Sequence, residues 1–390
     1  MSFEYNKMTN RIKILHLITD LDTGGAETML YRLLSKSSPA YENVVISMTD
    51  KGIIGSRVES LGIKVHALNT RKGIPDLFAF SKLLRILRKE KPQVLQTWLY
   101  HADLFGLLAA KIARIKIIAW NIRCSCVDTR KYSLGKRLIL KLLIKLSNLP
   151  TVVIANAKAG MDVHKKIGYR ARRWEIINNG FDIDFFNPKF LKKNELKKKF
   201  FGDANFTLIG SVARFDELKD HKNLLRAIKV FVDKYAAADN VKFALVGSGT
   251  NDNPFLQGLI KTMGTESKVM TLGERNDIPD IMSSFDIYCS SSSSEGFPNT
   301  IGESMACGVP CVATDAGDSA FLIDTTGIIV PIKDPAALAA AWHEMISIGE
   351  EGRQKLGILA RKRIETDFSI SKIARQYETL YSDLINNLNS

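Results

Sequence analysis

Short β-branched runs alternate with helix-patterned segments along this chain, and the alternation happens twice. The first series reads IKILHLIT, NVVISMT, KVHAL, VLQTWL, KIIAWNI and TVVIAN, with segments such as AETMLYRLL and DLFAFSKLLRILRK between them. Apolar runs separated by whole helices cannot pair as hairpins, so they imply βαβ units on a parallel sheet. A second series, FTLIGSVA, VKFALVG, VMTLG, IYCSS, PCVATD and GIIVP, opens after a lysine-rich stretch around residues 187–205. At 390 residues the chain exceeds one comfortable core, which predicts an α/β protein of two doubly wound domains facing a central cleft. The expected division is 1–185 and 186–390. The last segment, FSISKIARQYETLYSDLINNL, has apolar positions at helical spacing and is expected to close the second domain as a helix. The lysine-rich LKKNELKKKF is expected to be a short helix at the junction with a solvated charged face.

Charge is unequal between the halves. Residues 1–180 hold 31 Lys and Arg against 13 Asp and Glu, whereas residues 181–390 hold 24 against 28. The first half should therefore meet something anionic: a phospholipid surface, a diphosphate-linked acceptor or a nucleic acid. Residues 133–147, SLGKRLILKLLIKLS, set Arg137, Lys141 and Lys145 at four-residue spacing on a Leu/Ile helix. That basic stripe suits an anionic membrane surface, and its lack of aromatics argues against nucleic acid. The N-terminus is charged through its first dozen residues, and no stretch reaches the roughly 18 apolar residues of a spanning helix. The reading is a cytoplasmic chain, peripheral at most on the cytosolic face of a membrane. Five cysteines, without the paired Cys/His spacing of a zinc site, read as reduced thiols.

Three stretches carry chemistry. In SSSSSEGFPNTIGESMACGVPCVATDAG, Glu295 and Glu303 bracket a loop and the start of a helix. With Asn299 or Thr300 as the cap, the helix N–H groups and dipole would face a phosphate, and Glu303, one turn in, could accept bonds from ribose hydroxyls. Gly296 and Gly302 would let the backbone approach a ligand. In GSVARFDELKDHKNLLRAI, Arg214 follows a strand and Lys222 starts a helix. Two cations at one sheet edge need an anion, and a departing diphosphate supplies one; each contact would be worth about 1.5–3 kcal/mol. In LITDLDTGGAETMLYRLL, Gly24 and Gly25 follow the first strand and permit approach to a phosphate, without the full glycine pattern of a dinucleotide cofactor. Asp20 and Asp22 have no third carboxylate nearby, so neither a metal nor a cofactor is expected. Arg275 follows a strand and could stack on a base, with Asp277 as the next helix cap. The turn VGSGT, residues 246–250, reads equally well as a plain tight turn.

The turn Gly24-Gly25-x-Glu27, the junction Asn179-Gly180-x-Asp182, Arg214, Lys222 and the Glu295-x7-Glu303 block appear in the order seen in the retaining glycosyltransferase family four, and the resemblance covers nearly the whole chain. It implies the GT-B fold of two Rossmann-like domains, a nucleotide-sugar donor, most simply a UDP-sugar, on the C-terminal domain, and an acceptor on the N-terminal one. Transfer would retain anomeric configuration without a metal, by front-face displacement in which the departing phosphate helps to deprotonate the acceptor. Under the resemblance Arg214 and Lys222 clamp the diphosphate, Glu303 the ribose and Glu295 the sugar. Phe297, Pro298, Asn299 and Thr300 supply backbone contacts, His101 reaches the donor sugar, and Arg123 in WNIRCS meets an acceptor phosphate. Asn299 stands where the family often has glycine, which leaves the sugar open. The acceptor would be a growing cell-surface glycan or a lipid-linked glycan. A protein- or DNA-modifying transferase, or a non-catalytic nucleotide- or sugar-phosphate-binding protein, are the competing readings.

Overall fold

The computed structural model describes residues 11–70 and 77–389. The chain divides into two compact units, residues 1–180 with 370–390, and residues 181–369.

The first unit runs β1 (Ile12–Ile18), α1 (Gly25–Ser35), β2 (Tyr41–Ser47), α2 (Gly52–Ser60), β3 (Lys64–Ala67), α3 (Leu77–Glu90), β4 (Val94–Trp98), α4 (Tyr100–Ala113), β5 (Ile117–Ile122), α5 (Leu134–Leu146), β6 (Val152–Ala155), α6 (Lys158–Lys166) and β7 (Trp174–Ile176). Its strands are all parallel, in the order β3-β2-β1-β4-β5-β6-β7. The six expected strands form, and β7 adds a seventh too short to show in the pattern.

The second unit runs α7 (Lys193–Phe201), β8 (Thr207–Val212), α8 (His221–Lys234), β9 (Val241–Val246), α9 (Pro254–Thr262), β10 (Val269–Gly273), α10 (Ile278–Ser284), β11 (Ile287–Ser290), α11 (Asn299–Ala306), β12 (Cys311–Thr314), α12 (Ser319–Ile323), β13 (Gly327–Val330), α13 (Pro335–Ser347) and α14 (Gly349–Asp367). Its parallel sheet has the order β10-β9-β8-β11-β12-β13. Both units are thus Rossmann-like and doubly wound. Winding reverses between β1 and β4 and between β8 and β11. Loops leaving the carboxyl ends of strands at such a reversal part to opposite faces and open a crevice, which is where α/β sheets bind ligands.

The final helix, α15 (Ile370–Asn389), belongs to the first unit, not the second as expected. Its Ile370, Ile373, Tyr377 and Tyr381 are buried in one cluster with Ile14, Trp98, Ala119 and Ile154 of β1, β4, β5 and β6. Helical spacing marks an apolar face but not the sheet it covers, and here α15 covers the central strands beside α1.

The junction helix also departs from expectation. Lys197 is 4% exposed, and Lys193 and Lys197 both bond the buried Asp286 carboxylate, at 2.7 and 2.5 Å. Asp286 accepts from the Leu208 N–H as well, at 2.7 Å. The two ammonium groups hold Asp286 below the usual carboxylate range against the opposing effect of burial, while burial lowers Lys193. Lys193 and Lys197 form an internal ion cluster tying α7 to β8 and β11, while Glu195, Lys198 and Lys199 on the same helix are exposed as expected.

Under α15, His16 is 1% exposed. Its Nε2 donates to Asn43 Oδ1 at 3.1 Å and its Nδ1 accepts from the Trp98 indole at 3.3 Å, a pattern that fits the neutral ring. Burial lowers its pKa to about 4. The unfolded chain takes up this proton below about pH 6.5, so the contribution is complete above that pH and is lost as pH falls toward 4. At about 1.4 kcal/mol per unit, urea titrations at pH 7 and pH 4 should differ by about 3 kcal/mol from this residue, and a His16→Asn protein should lose that part of the slope.

Candidate functional site

The β8/β11 reversal collects the polar residues of the second domain. After β8 the chain is held by backbone bonds to the end of β9 and the loop beyond it: Ala213 N–H to Val246 O and Phe215 N–H to Ser248 O, both 2.8 Å. Gly247 makes this possible. Its φ is +137°, and a Cβ there would stand 2.3 Å from the Ala213 carbonyl oxygen. VGSGT is therefore a tight turn whose glycine sets the path of Arg214. The Arg214 side chain is 69% exposed, touching Asp216 at 3.3 Å. Asp216 also accepts from the Leu218 N–H, and Asp220, in the left-handed region at φ +48°, caps α8 through the Asn223 N–H.

The cation that turns toward Glu295 is Lys219. Its Nζ lies 2.5 Å from Glu295 Oε1, which also accepts from Ser292 Oγ at 2.7 Å. Lys222 is exposed, with its ammonium 4.9 Å from the centre of the Phe255 ring. Lys219 shares the strand-to-helix turn with Arg214, whereas Lys222, the expected partner of Arg214, lies inside α8. The signal was available, since loops at strand ends carry ligand contacts.

The five-serine run before Glu295 clamps its loop. Ser291 Oγ donates to Lys219 O at 2.9 Å, Ser293 N–H to Leu218 O at 2.8 Å, and Thr314 Oγ1 to Ser292 O at 2.6 Å. Asp318 N–H reaches Gly296 O at 3.0 Å, and Gly317, at φ +61°, passes so close that a Cβ would fall 2.2 Å from the Glu295 carbonyl oxygen. The Glu295 backbone is thereby held from both sides.

Helix α11 starts directly beyond. Its N-cap is Pro298, which has no side-chain cap bond, and not Asn299 or Thr300 as expected. Thr300 instead has its hydroxyl 2.7 Å from that of the buried Tyr288, whose O–H donates to it. A helix start without a side-chain cap keeps its positive dipole end for an anion. Glu303 lies one turn in and is 9% exposed. Gly302 does not serve ligand approach: a Cβ there would strike the Phe181 ring at 2.0 Å. Phe297 turns inward, 4% exposed and 6.2 Å from the Phe181 ring centre, and Pro298 is buried beside it. Farther along the edge, Arg275 makes two bonds to Asp277, at 2.9 and 2.7 Å, and lies over Phe200. Asp277 is the N-cap residue of α10 but gives no side-chain cap, because its carboxylate is engaged with Arg275.

In the first domain, Gly24 is the N-cap of α1 and Gly25 its first residue, after β1 on one side of the β1/β4 reversal. Gly24 is extended at φ −157°; its role is spatial, since a Cβ would sit 2.1 Å from the Glu27 carboxylate. That carboxyl is buried against the N-terminus of its own helix, and burial raises its pKa, with Asp20 adding to the effect. On the other side of the reversal, Leu99 takes φ +74°, a strained conformation for a residue with a branched side chain, and His101 follows in the first turn of α4. Half-buried, His101 has its pKa lowered by burial and then by Lys136, so the ring is neutral at pH 7.

Arg123, expected to meet an acceptor phosphate, has its guanidinium turned inward. Its Nη2 donates to Asn179 Oδ1 at 2.7 Å, the guanidinium lies 5.2 Å from the Trp98 ring centre, and Nε and Nη1 are sealed from solvent without partners. Trp98 and Asn179 are remote in sequence, so nothing near Arg123 announces the inward turn.

All five cysteines are free thiols. Among the described residues no helix is long and apolar enough to cross a membrane.

Residues 23–185 match the family Glycosyltransferase Family 4, and residues 206–347 match Glycosyl transferases group 1. A UDP-Gal:α-D-GlcNAc-diphosphoundecaprenol α-1,3-galactosyltransferase of Escherichia coli is 24% identical over 80% of this chain and 81% of its own. An N-acetylgalactosaminyltransferase of Campylobacter jejuni, named for an N-acetylgalactosamine-N,N'-diacetylbacillosaminyl-diphospho-undecaprenol substrate, is 27% identical over 84% of this chain and 88% of its own. The solved structure of Anabaena HepE in complex with UDP superposes with a TM-score of 0.82 at 25% identity, covering 95% of this chain and all of that one. With the group 1 match spanning Arg214, Lys219, Glu295 and Glu303, and the other match spanning Gly24 and His101, the chain belongs to glycosyltransferase family four and is a glycosyltransferase of GT-B fold.

Proposed function

We propose that this transferase moves a hexose or N-acetylhexosamine from a UDP-sugar to a lipid-linked or growing cell-surface glycan, with retention of configuration and without a metal ion. The observation that carries the reading is the ion pair of Lys219 with Glu295 at the β8/β11 reversal, on the same loop as Arg214 and beside the α11 N-terminus. A diphosphate leaving group gathers negative charge as the glycosidic bond breaks, and fixed cations with a helix end offset it without reorganising. In this reading Arg214 and Lys219 hold the diphosphate and Glu303 the ribose. Glu295 and the backbone of Phe297–Thr300 hold the sugar, and Gly24, Gly25 and neutral His101 keep the donor-binding roles that the family resemblance gives them. Lys222 over Phe255, Arg275 paired to Asp277 and the sealed Arg123 are left out. The names of the E. coli and C. jejuni relatives, both with diphospho-undecaprenol substrates, and the UDP in Anabaena HepE support this choice of donor and acceptor.

The test is transfer from a panel of UDP-sugars to a short-chain GlcNAc-diphospholipid, with the anomeric coupling of the product read by NMR. UDP release with an α-linked product from an α-linked donor is expected. An inverted linkage would remove retention, loss of activity in EDTA restored by a divalent ion would remove metal independence, and transfer only to protein or DNA would replace the acceptor.

The basic helix is the second part of the reading. On α5, Leu134, Leu138 and Leu142 are 83%, 59% and 37% exposed, four residues apart, beside the exposed Arg137, Lys141 and Lys145. Apolar and cationic stripes side by side suit a bilayer with anionic headgroups, where a lipid-linked acceptor would reside. At about 1 kcal/mol per cation, vesicles rich in phosphatidylglycerol should bind the protein roughly 100-fold more tightly than phosphatidylcholine vesicles. Flotation of an Arg137→Gln, Lys141→Gln, Lys145→Gln protein should lose that preference; an unchanged preference would remove α5 from the contact.

A further inference from the structure

β1, β4 and β5 begin at the sheet edge opposite the one that carries His101 and the Gly24 turn, and a groove of about 810 Å³ opens there. Ile12, Ile115, Ile385 and Leu388 give it an apolar lining. Arg88, Lys91, Arg114 and Lys116 line it with positive charge, and no carboxylate does. All four cations are exposed, and among the described residues none has a side-chain hydrogen bond or ion pair.

Two of the four occupy positions that disfavour them. Lys91, directly after α3, has φ +45°, and Arg114, the C-cap of α4, has φ +59°. These left-handed residues end their helices where glycine, or sometimes asparagine, ordinarily stands, because a Cβ crowds the following carbonyl. Serving the helix dipoles does not require them there, since Arg88 and Lys89 on α3 and Lys111 on α4 already place cations in the last turns. The chain thus keeps two strained cations facing one apolar groove, of the size of a small-molecule site.

We propose that this groove binds an anionic amphiphile, a phosphate ester whose headgroup meets Arg88, Lys91, Arg114 and Lys116 and whose hydrocarbon chain lies along the isoleucine lining. Lacking any contact with the residues assigned to transfer, it is a second site, and its occupancy is measured without turnover. The experiment is isothermal titration of the full chain with dodecyl phosphate and with dihexanoylphosphatidylglycerol, each below its micellar concentration, against inorganic phosphate and dodecyl maltoside. Saturable binding of one or both phosphate amphiphiles, with neither control matching them, is expected; the phospholipid alone would identify a bilayer lipid, and both equally a simple alkyl phosphate. A Lys91→Gly, Arg114→Gly protein should bind at least about tenfold more weakly while its Tm stays level or rises, because glycine relaxes both turns. A Lys91→Gln, Arg114→Gln protein, which keeps a Cβ and a polar, uncharged side chain at both positions, should lose as much. No binding by either amphiphile, equal binding by phosphate or maltoside, or undiminished binding by both double variants would overturn the proposal.

Discussion

A Lys219→Met protein is expected to turn over about 10²–10³-fold more slowly than the parent. The methionine keeps an unbranched apolar stem and removes the charge together with the hydrogen bond to Glu295. On the proposed reading two losses combine: a cation is removed from beside the diphosphate, and Glu295, 13% exposed, loses its bond to Lys219. Arg214→Ala should fall by a similar factor, because the guanidinium extends from the same loop. Lys222→Met, which removes only a cation over the Phe255 ring, should change turnover by about threefold at most, as expected of an exposed cation–π contact. Steady-state rates of the three proteins, with melting curves as the check on folding, decide the matter. If Lys222→Met proves as damaging as Lys219→Met, or Lys219→Met as harmless as a surface change, the electrostatic reading of this loop is wrong.

An Asp286→Ala protein should lose about 3–5 kcal/mol of stability, because Lys193 and Lys197 would then lie near each other, largely buried and without their counter-ion. The Leu208 N–H would lose its acceptor as well. For a domain of this size the melting temperature should drop by on the order of 10 °C. Combining Asp286→Leu with Lys193→Met and Lys197→Met should restore most of it, since an apolar substitute for a buried ion cluster avoids the desolvation cost. A loss of less than about 1 kcal/mol on Asp286→Ala, measured by calorimetry, would mean that the lysines reach solvent in the folded state.

Much of the candidate site could be read in advance because it lies where strands end. Arg214 and Glu295 follow recognisable strand runs, and a parallel sheet sends all such loops to one edge, so their convergence follows from alternation alone. Lys219 was masked by its neighbour, since the sequence DELKDHK does not tell where the turn stops and α8 begins; Asp220 in the left-handed region sets that boundary. The glycines were visible without their reasons. Gly302 makes room for Phe181 and Gly24 for Glu27, and neither partner's position is a local property. The direction of Arg123 is likewise not a local property, as it depends on Trp98 and Asn179.

The order of apolar runs and helical patterns determined by itself that this protein has two parallel sheets, and at which strand ends its charged loops emerge, because pattern and connection length are properties of neighbouring residues. Tertiary structure alone decided that α15 covers the first sheet, that α7 buries two lysines on Asp286 instead of exposing them, and that Lys219 rather than Lys222 turns to Glu295. Each of these depends on which distant surface a side chain meets and how much water that contact excludes, and no local window of sequence contains either quantity.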